Sequence, residues 1–453
     1  MSVSESDLVA RVREDFPRLR DDLAALIGIP SVAFPGYPPE PVHEAADKVE
    51  ALLRDAGVAD IERLDLPDTS PAIIGRVHVD DALPTVLLYC HYDVVPADDV
   101  EAWRTPPFEA TEVDGAIFGR GASDSKSNLL AHIGALRAFR GSLPVNLLVV
   151  FEGQEEAGSA FDFYPLDHPD VFACDAMVIA DVGNIRPGDP TLTVALRGSA
   201  AVTVAVSTLE SPKHSGQFGA AAPDALVVLI HALASLHDEH GDVAVPGLRR
   251  EEWTGAGYSD DEFRALAQVL PGVPLQGTGS LGSRIWSGPA ITVTGIDVPS
   301  VDKAVNAVAA TARARLDVRV SPWQSAAEAQ AAVVAHLEAQ HPFGVSLTVV
   351  AGDIGDGVSV PTGGPIYRLA EGALADAYGT PPSTNAVGGS IPIVSALARA
   401  VPDAEVLLFG TSDGFSAIHA PNERVLIDEF ERTVVAETLL LARLGHAAPG
   451  SLR

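Results

Sequence analysis

Short apolar runs alternate along this chain with longer stretches whose apolar residues recur every three or four positions. Thr85–Cys90, Val145–Phe151, Ala176–Ala180 and Val406–Phe409 are such runs, and they predict buried strands. Phe16, Leu19, Leu23 and Leu26 fall at helical spacing and predict a helix over about Glu14–Ile27. Leu129, Ile133 and Leu136 mark another helix, and helical patterns recur at Ile366–Tyr378 and Asp428–Leu444. Strands alternating with helices predict an α/β domain. Between about Arg197 and Gly355 the pattern changes to β-rich runs, Ala201–Val206 and Ala290–Thr294, with helices at Ala225–Leu236 and Ser325–Gln340. That stretch reads as an inserted α+β domain, so residues 1–196 and 356–453 are two parts of one domain and 197–355 is another. A chain of 453 residues is long enough to bury two cores. Thr278–Gly288 is rich in glycine and serine and is expected to be a mobile loop.

Charge narrows the partners. A formal net charge of −31 argues against nucleic acid and anionic membrane surfaces. No apolar stretch is long enough to span a bilayer, and Met1–Asp7 is polar and acidic, unlike the basic start of a secretory signal. The two cysteines, Cys90 and Cys174, fall in apparent strands and read as buried thiols rather than a framework disulfide. A cytoplasmic enzyme is the simplest expectation.

The candidate chemistry sits where apolar runs stop. Thr85–Cys90 ends on His91-Tyr92-Asp93, at the kind of carboxyl edge where open α/β sheets build sites. His91 and Asp93, two apart on an extended chain, share a face, so the carboxylate can orient a metal-bound imidazole. The stretch Gly119–Asn128 is rich in turn formers and opens a helix, with Asp124 near its start. Val145–Phe151 leads into Glu152-Gly153-Gln154-Glu155-Glu156, whose adjacent carboxylates repel unless cations compensate. Ala176–Ala180 ends on Asp181, and Val406–Phe409 precedes the loop that carries His419 and Pro421-Asn422-Glu423. Each feature alone also fits an ordinary loop, a helix cap or a solvated acid pair. Together they supply the oxygen and nitrogen donors expected of zinc, and five residues meet the count for two ions sharing one carboxylate.

In this order and setting the chain resembles the co-catalytic di-zinc peptidase and deacylase family, which includes carnosinase, peptidase V, carboxypeptidase G, aminoacylase and succinyl-diaminopimelate desuccinylase. The match runs from about His91 to Glu423. The resemblance implies a catalytic domain with a central mixed sheet flanked by helices, plus an inserted two-layer α+β lid and dimerisation domain. It further implies that Asp124 bridges two divalent metal ions, that His91 and Asp181 complete one site, and that Glu156 and His419 complete the other. Zinc is the family's usual ion, and manganese or cobalt also suits such donors. Asp93 would orient His91, and Glu155 would be the general base that takes a proton from the attacking water and returns it to the leaving nitrogen.

Ser211–Gly219 resembles the family's His-Ser-Gly loop, and that resemblance implies that His214 is an oxyanion donor acting across a homodimer. Ala386-Val387-Gly388-Gly389-Ser390-Ile391-Pro392 resembles the dipeptidase branch, where glycine amides and a serine hold the substrate's terminal carboxylate; Gly389 and Ser390 would do so here. Arg319 matches the lid arginine that pairs with the same carboxylate, and Asn306 matches a position that presents an amide or hydroxyl to substrate. The chain departs from the family at Ile296–Lys303, where a glycine-rich approach is usual, and at Ala220-Ala221. The implied activity is hydrolysis of small peptides with a free carboxyl terminus. N-acyl-amino-acid deacylation is the alternative reaction, and a non-catalytic metal-stabilised binding protein is the alternative class.

Overall fold

The computed structural model of the chain describes residues 3–389 and 391–447, which divide into two compact units. Unit 1 takes the chain up to Val194, Val360–Asn385 and the chain from Ile393, while unit 2 takes Ala195–Ser359 and Ala386–Pro392.

Unit 1 begins with α1 (Glu5–Ile27) and α2 (Glu40–Asp55), followed by β1 (Asp60–Leu64), β2 (Ala72–Val77), β3 (Thr85–His91), α3 (Lys126–Ala138), β4 (Asn146–Glu152), β5 (Ala176–Ile179) and β6 (Thr191–Leu196). After unit 2 come α4 (Pro365–Tyr378), β7 (Ser383–Val387), α5 (Pro392–Ala400), β8 (Glu405–Leu408) and α6 (Ile427–His446). The helix α1 starts at Glu5, earlier than the apolar spacing suggests. Ser4 caps it, its Oγ accepting from the Asp7 N–H at 3.2 Å, and Leu8 and Val12 extend the buried stripe.

The sheet runs β1-β2-β4-β3-β5-β8-β6, with β7 beside β6. Its middle four strands, β4, β3, β5 and β8, are parallel, and the flanking pairs are antiparallel. Every residue of β4 and β5 is buried, as expected of strands covered on both faces. On one side α1, α3 and α6 pack together, and α3 lies directly against β3. The parallel core matters for function because all four carboxyl ends point the same way.

Unit 2 holds a four-stranded antiparallel sheet in the order Ala290–Asp297, Thr311–Val320, Gly198–Ser207, Thr348–Gly355. Burial alternates along Gly198–Ser207 and Thr311–Val320, so only one face is covered. The covering helices are Ala225–Ala234 and Ala326–Glu338, whose Val228, Leu229, Val333 and Leu337 join Val202, Val204, Leu316 and Val318 in one core. Thr278–Gly288 is not the open loop its composition suggests. Ser283–Ser287 forms a helical turn, and Trp286 is buried against Trp253 and Tyr258 with ring centroids 5.7 and 5.6 Å away. Cys90 and Cys174 are free thiols, the first buried and the second partly so. Among the described residues no helix is long and apolar enough to cross a membrane.

Candidate metal centre

The carboxyl ends of the parallel strands converge on one cluster in unit 1. β3 ends on His91, which is fully buried. Its Nε2 lies 3.0 Å from Asp124 Oδ1 and 3.1 Å from Asp181 Oδ1. His419 Nε2 lies 3.1 Å from Asp124 Oδ2 and 3.0 Å from Glu156 Oε2. The two oxygens of Asp124 therefore face different histidines, and each histidine is joined by a second carboxylate. Two three-residue sets result, His91-Asp124-Asp181 and Asp124-Glu156-His419, with the donor atoms of each within 4.8 Å of one another.

Local sequence explains how each donor arrives. Asp124 ends a turn just before α3, and Asn128 in the first turn of that helix ties the region together. Its Nδ2 donates to the Ser123 carbonyl at 3.2 Å, and its Oδ1 accepts from the Thr411 N–H at 2.7 Å. Gly410 lets the His419 loop pass this closely, since a Cβ there would meet Val182 O at 2.3 Å and Asn128 Oδ1 at 2.6 Å. Further along, Arg424 forks onto Asp413, closing the loop, and His419 is held at φ 61, a left-handed conformation that bulky residues avoid.

Asp93 does two things at once. Its Oδ1 lies 3.3 Å from His91 Nδ1, on the far side of the ring from Asp124. Its carboxylate also accepts from the N–H groups of Glu155 and Glu156 at 3.0 and 3.1 Å, which fixes the loop after β4. A second carboxylate, Glu152, closes that loop's base by accepting from Tyr89 Oη at 2.9 Å and Ser159 Oγ at 2.8 Å.

Electrostatics shows why such a cluster wants cations. Burial and the Asp181 charge push Glu155 well above the usual carboxylate range. Burial and Asp124 push Glu156 up to about 7. Burial also raises Asp181. Against burial, hydrogen bonds from His419 and His91 hold Asp124 well below its ordinary value. The Asp124 and Glu156 hydrogen bonds lift His419 to about 10. Four acids and two imidazoles in a buried space are more negative charge than the cluster holds comfortably by itself. Imidazole nitrogen and carboxylate oxygen are the donors that divalent ions of the zinc type take, so the residues present fit such ions.

The remaining predicted residues lie in unit 2 or outside the described residues. His214 is exposed, and its strand Lys213–His214 pairs with Ala307–Val308. Because the Ser215 N–H donates to the Asn306 carbonyl at 2.9 Å, His214 and Asn306 are neighbours on this small ladder. Arg319 is partly exposed and its Nε donates to Asp317 Oδ2 at 3.1 Å, so its guanidinium already has an acidic partner. Gly389 has open space where a Cβ would be. Ser390 lies outside the described residues.

Two residues gain importance only in three dimensions. Arg197, at the start of unit 2, is 8% exposed, and its Nε donates to the Gly388 carbonyl at 3.2 Å. Burial and the nearby Arg319 charge lower it to about 10. Glu423 is buried against the turn that ends on Asp124. In the sequence Arg197 marks only a change of pattern and Glu423 only the tail of a motif.

Residues 87–443 match the model of peptidase family M20/M25/M40, and the chain belongs to that family. It is 40% identical over 411 residues to a cysteinylglycine-S-conjugate dipeptidase from Corynebacterium striatum, covering 89% of this chain and 90% of that one. It is 28% identical over 446 residues to the β-Ala-His dipeptidase of Rattus norvegicus, covering 93% and 86%. A dipeptidase structure from Saccharomyces cerevisiae superposes with a TM-score of 0.84 at 24% identity, over 99% of this chain and 100% of that one, which shows the shared fold. Divalent metal use follows from the metallopeptidase family and the two donor sets.

Proposed function

We infer that this protein is a metal-dependent dipeptidase that hydrolyses the amide bond of dipeptides with a free carboxyl terminus. The observation that carries the reading is Asp124, which offers one oxygen to each of two His-carboxylate sets beside the Glu155 loop. Two divalent ions, zinc by preference, would be held by His91, Asp124 and Asp181 and by Asp124, Glu156 and His419. Such ions supply Lewis acidity, making a water acidic and polarising the substrate carbonyl. Glu155 takes the proton of the attacking water on its carboxylate and returns it to the leaving nitrogen. Asp93 keeps the His91 ring and the Glu155 backbone in register.

Substrate recognition falls to unit 2 and the segment around Gly389 and Ser390. Arg319 pairs with the terminal carboxylate once a substrate competes with Asp317, the N–H of Gly389 and the Ser390 hydroxyl hold the same group, and Asn306 contributes an amide. His214 donates to the developing oxyanion in a second copy of the chain. A homodimer through unit 2 is supported by the apolar outer face of the Ala225–Ala234 helix, where Val227 and Ile230 are exposed. Next to that face Phe343, 70% exposed, sits against His231 with ring centroids 5.0 Å apart.

The 40% identical relative makes cysteinylglycine and its S-conjugates the first substrates to try. The test is a screen of the zinc-loaded protein, with a chelated control, against Cys-Gly, S-alkyl Cys-Gly, β-Ala-His, tripeptides and N-acyl amino acids. Cleavage of dipeptides that stops on chelation supports the reading. Turnover of N-acyl amino acids with no dipeptide cleavage replaces it with a deacylase.

A further inference from the structure

The hydrolytic reading leaves a fully buried carboxylate without a part. Glu423 follows His419 by one turn of chain and is inaccessible to solvent. Its Oε2 accepts from Arg120 Nη1 at 2.7 Å and from the Gly121 N–H at 3.0 Å. Its Oε1 accepts from the Ser123 N–H at 2.9 Å and from the Asp124 N–H at 3.0 Å. The Glu423 carbonyl also accepts from the Gly119 N–H at 3.0 Å. One residue thus collects the backbone of the Asp124 turn at four points, and Arg120 completes the set from its place over the Trp103 ring, 5.1 Å from the centroid.

A buried carboxylate is tolerable only when its lone pairs are filled, and backbone N–H groups are rigid donors. The consequence here is mechanical. Asp124 must aim its two oxygens at two histidines that arrive from opposite ends of the chain, and a small rotation of its backbone would lose one of them. Asn422, next to Glu423, adds a further tie, its Oδ1 accepting from the Arg104 N–H at 2.7 Å.

We propose that Glu423 is a positioning residue of the metal centre. It locks the Asp124 turn to the His419 turn so that one carboxylate can serve both ion sites. This rests on the two-ion reading above, and the tests separate the two.

Glu423→Gln keeps the size of the side chain but turns an NH2 group toward N–H donors, so one side of the cradle is lost. Apo protein prepared with chelator is titrated with zinc in competition with an indicator, ions are counted after dialysis, and melting is followed with and without zinc. The expected result is a fold retained in chelator, zinc affinity lowered by about 10- to 100-fold, and a smaller zinc-induced rise in melting temperature. Excess zinc should recover much of kcat with KM little changed, because no substrate contact is lost. A residue that merely supports the fold would lower melting equally with and without zinc and leave affinity alone.

Wild-type affinity in Glu423→Gln overturns the proposal while leaving the two-ion reading intact. Failure of the unaltered protein to bind a pair of ions overturns both. Should Glu423→Gln not fold, Arg120→Gln removes only one of the four donors and should weaken zinc binding by several fold; unchanged binding there overturns the proposal equally.

Discussion

In unit 1 the loops that carry chemistry are fastened by buried carboxylates, whereas in unit 2 the exposed His214 stands on a ladder of two residue pairs and the exposed Asn306 lies just before its second strand. Asp93 and Glu423 each accept from backbone N–H groups and leave little freedom to His91, Asp124, Glu155 or Glu156. Among the described residues no comparable buried acid is found at His214, where Nδ1 accepts from the Gly216 N–H at 3.1 Å within the same turn. The difference matches the roles proposed for the two sets of residues. Donors for an ion must be held before the ion arrives, because disorder among them is a direct cost in affinity. Residues that meet a substrate or a second copy of the chain can be ordered on contact.

The largest expected effect strikes the shared donor. Asp124→Ala should abolish turnover and lower the bound metal from two ions toward none, since both sets lose a member; metal analysis after dialysis checks it, and a variant that keeps two ions would mean that Asp124 is not shared.

Glu155→Gln comes next, with kcat reduced by about 10²- to 10⁴-fold and both ions retained. Near-normal hydrolysis by that variant refutes its role as base. His214→Ala should be severely impaired alone and recover activity when mixed with Glu155→Gln, because each chain supplies what the other lacks. Well-mixed heterodimers without recovery would place the action of His214 within its own chain.

Arg319→Lys tests the solvent-facing side more gently. Loss of the planar fork should raise KM by about tenfold with kcat nearly unchanged, read from steady-state kinetics on a dipeptide.

The smallest effect concerns stability. Burial and the charge of Asp162 push Glu152 from 4.5 up to about 8, so the folded protein holds a proton that the unfolded chain releases. Its contribution to stability is therefore present below pH 4.5 and declines as pH rises toward about 8. Glu152→Gln should flatten that decline in melting temperature measured in chelator, and an unaltered slope would remove Glu152 as its source.

Much of unit 1 was legible because its signals are local. An apolar run that stops on a histidine or an acid announces a strand end, and β3, β4, β5 and β8 all begin or end close to the runs at Thr85, Val145, Ala176 and Val406. The helices α4 and α6 follow their apolar spacing closely. Other features were hidden for equally physical reasons. The early start of α1 depends on Ser4 as a cap and on Leu8 and Val12 finding a core. Thr278–Gly288 has the composition of a loop, yet Trp286 buries itself and pulls the segment into a turn. Arg197 and Glu423 act through backbone groups, which leave no mark in a sequence.

The sequence by itself determined which residues could be donors and that they fall at strand ends, because strand period and residue chemistry are local properties. It also carried enough motif to identify the family. Only the tertiary structure decided that Asp124 splits its oxygens between His91 and His419, that Asp93 holds a ring and a loop together, and that Glu423 gathers the N–H groups of a distant turn. Those outcomes depend on the angle and distance between segments that lie from 33 to 299 residues apart in the chain. Such relations are set by the packing of a parallel sheet and its helices, not by any stretch of chain.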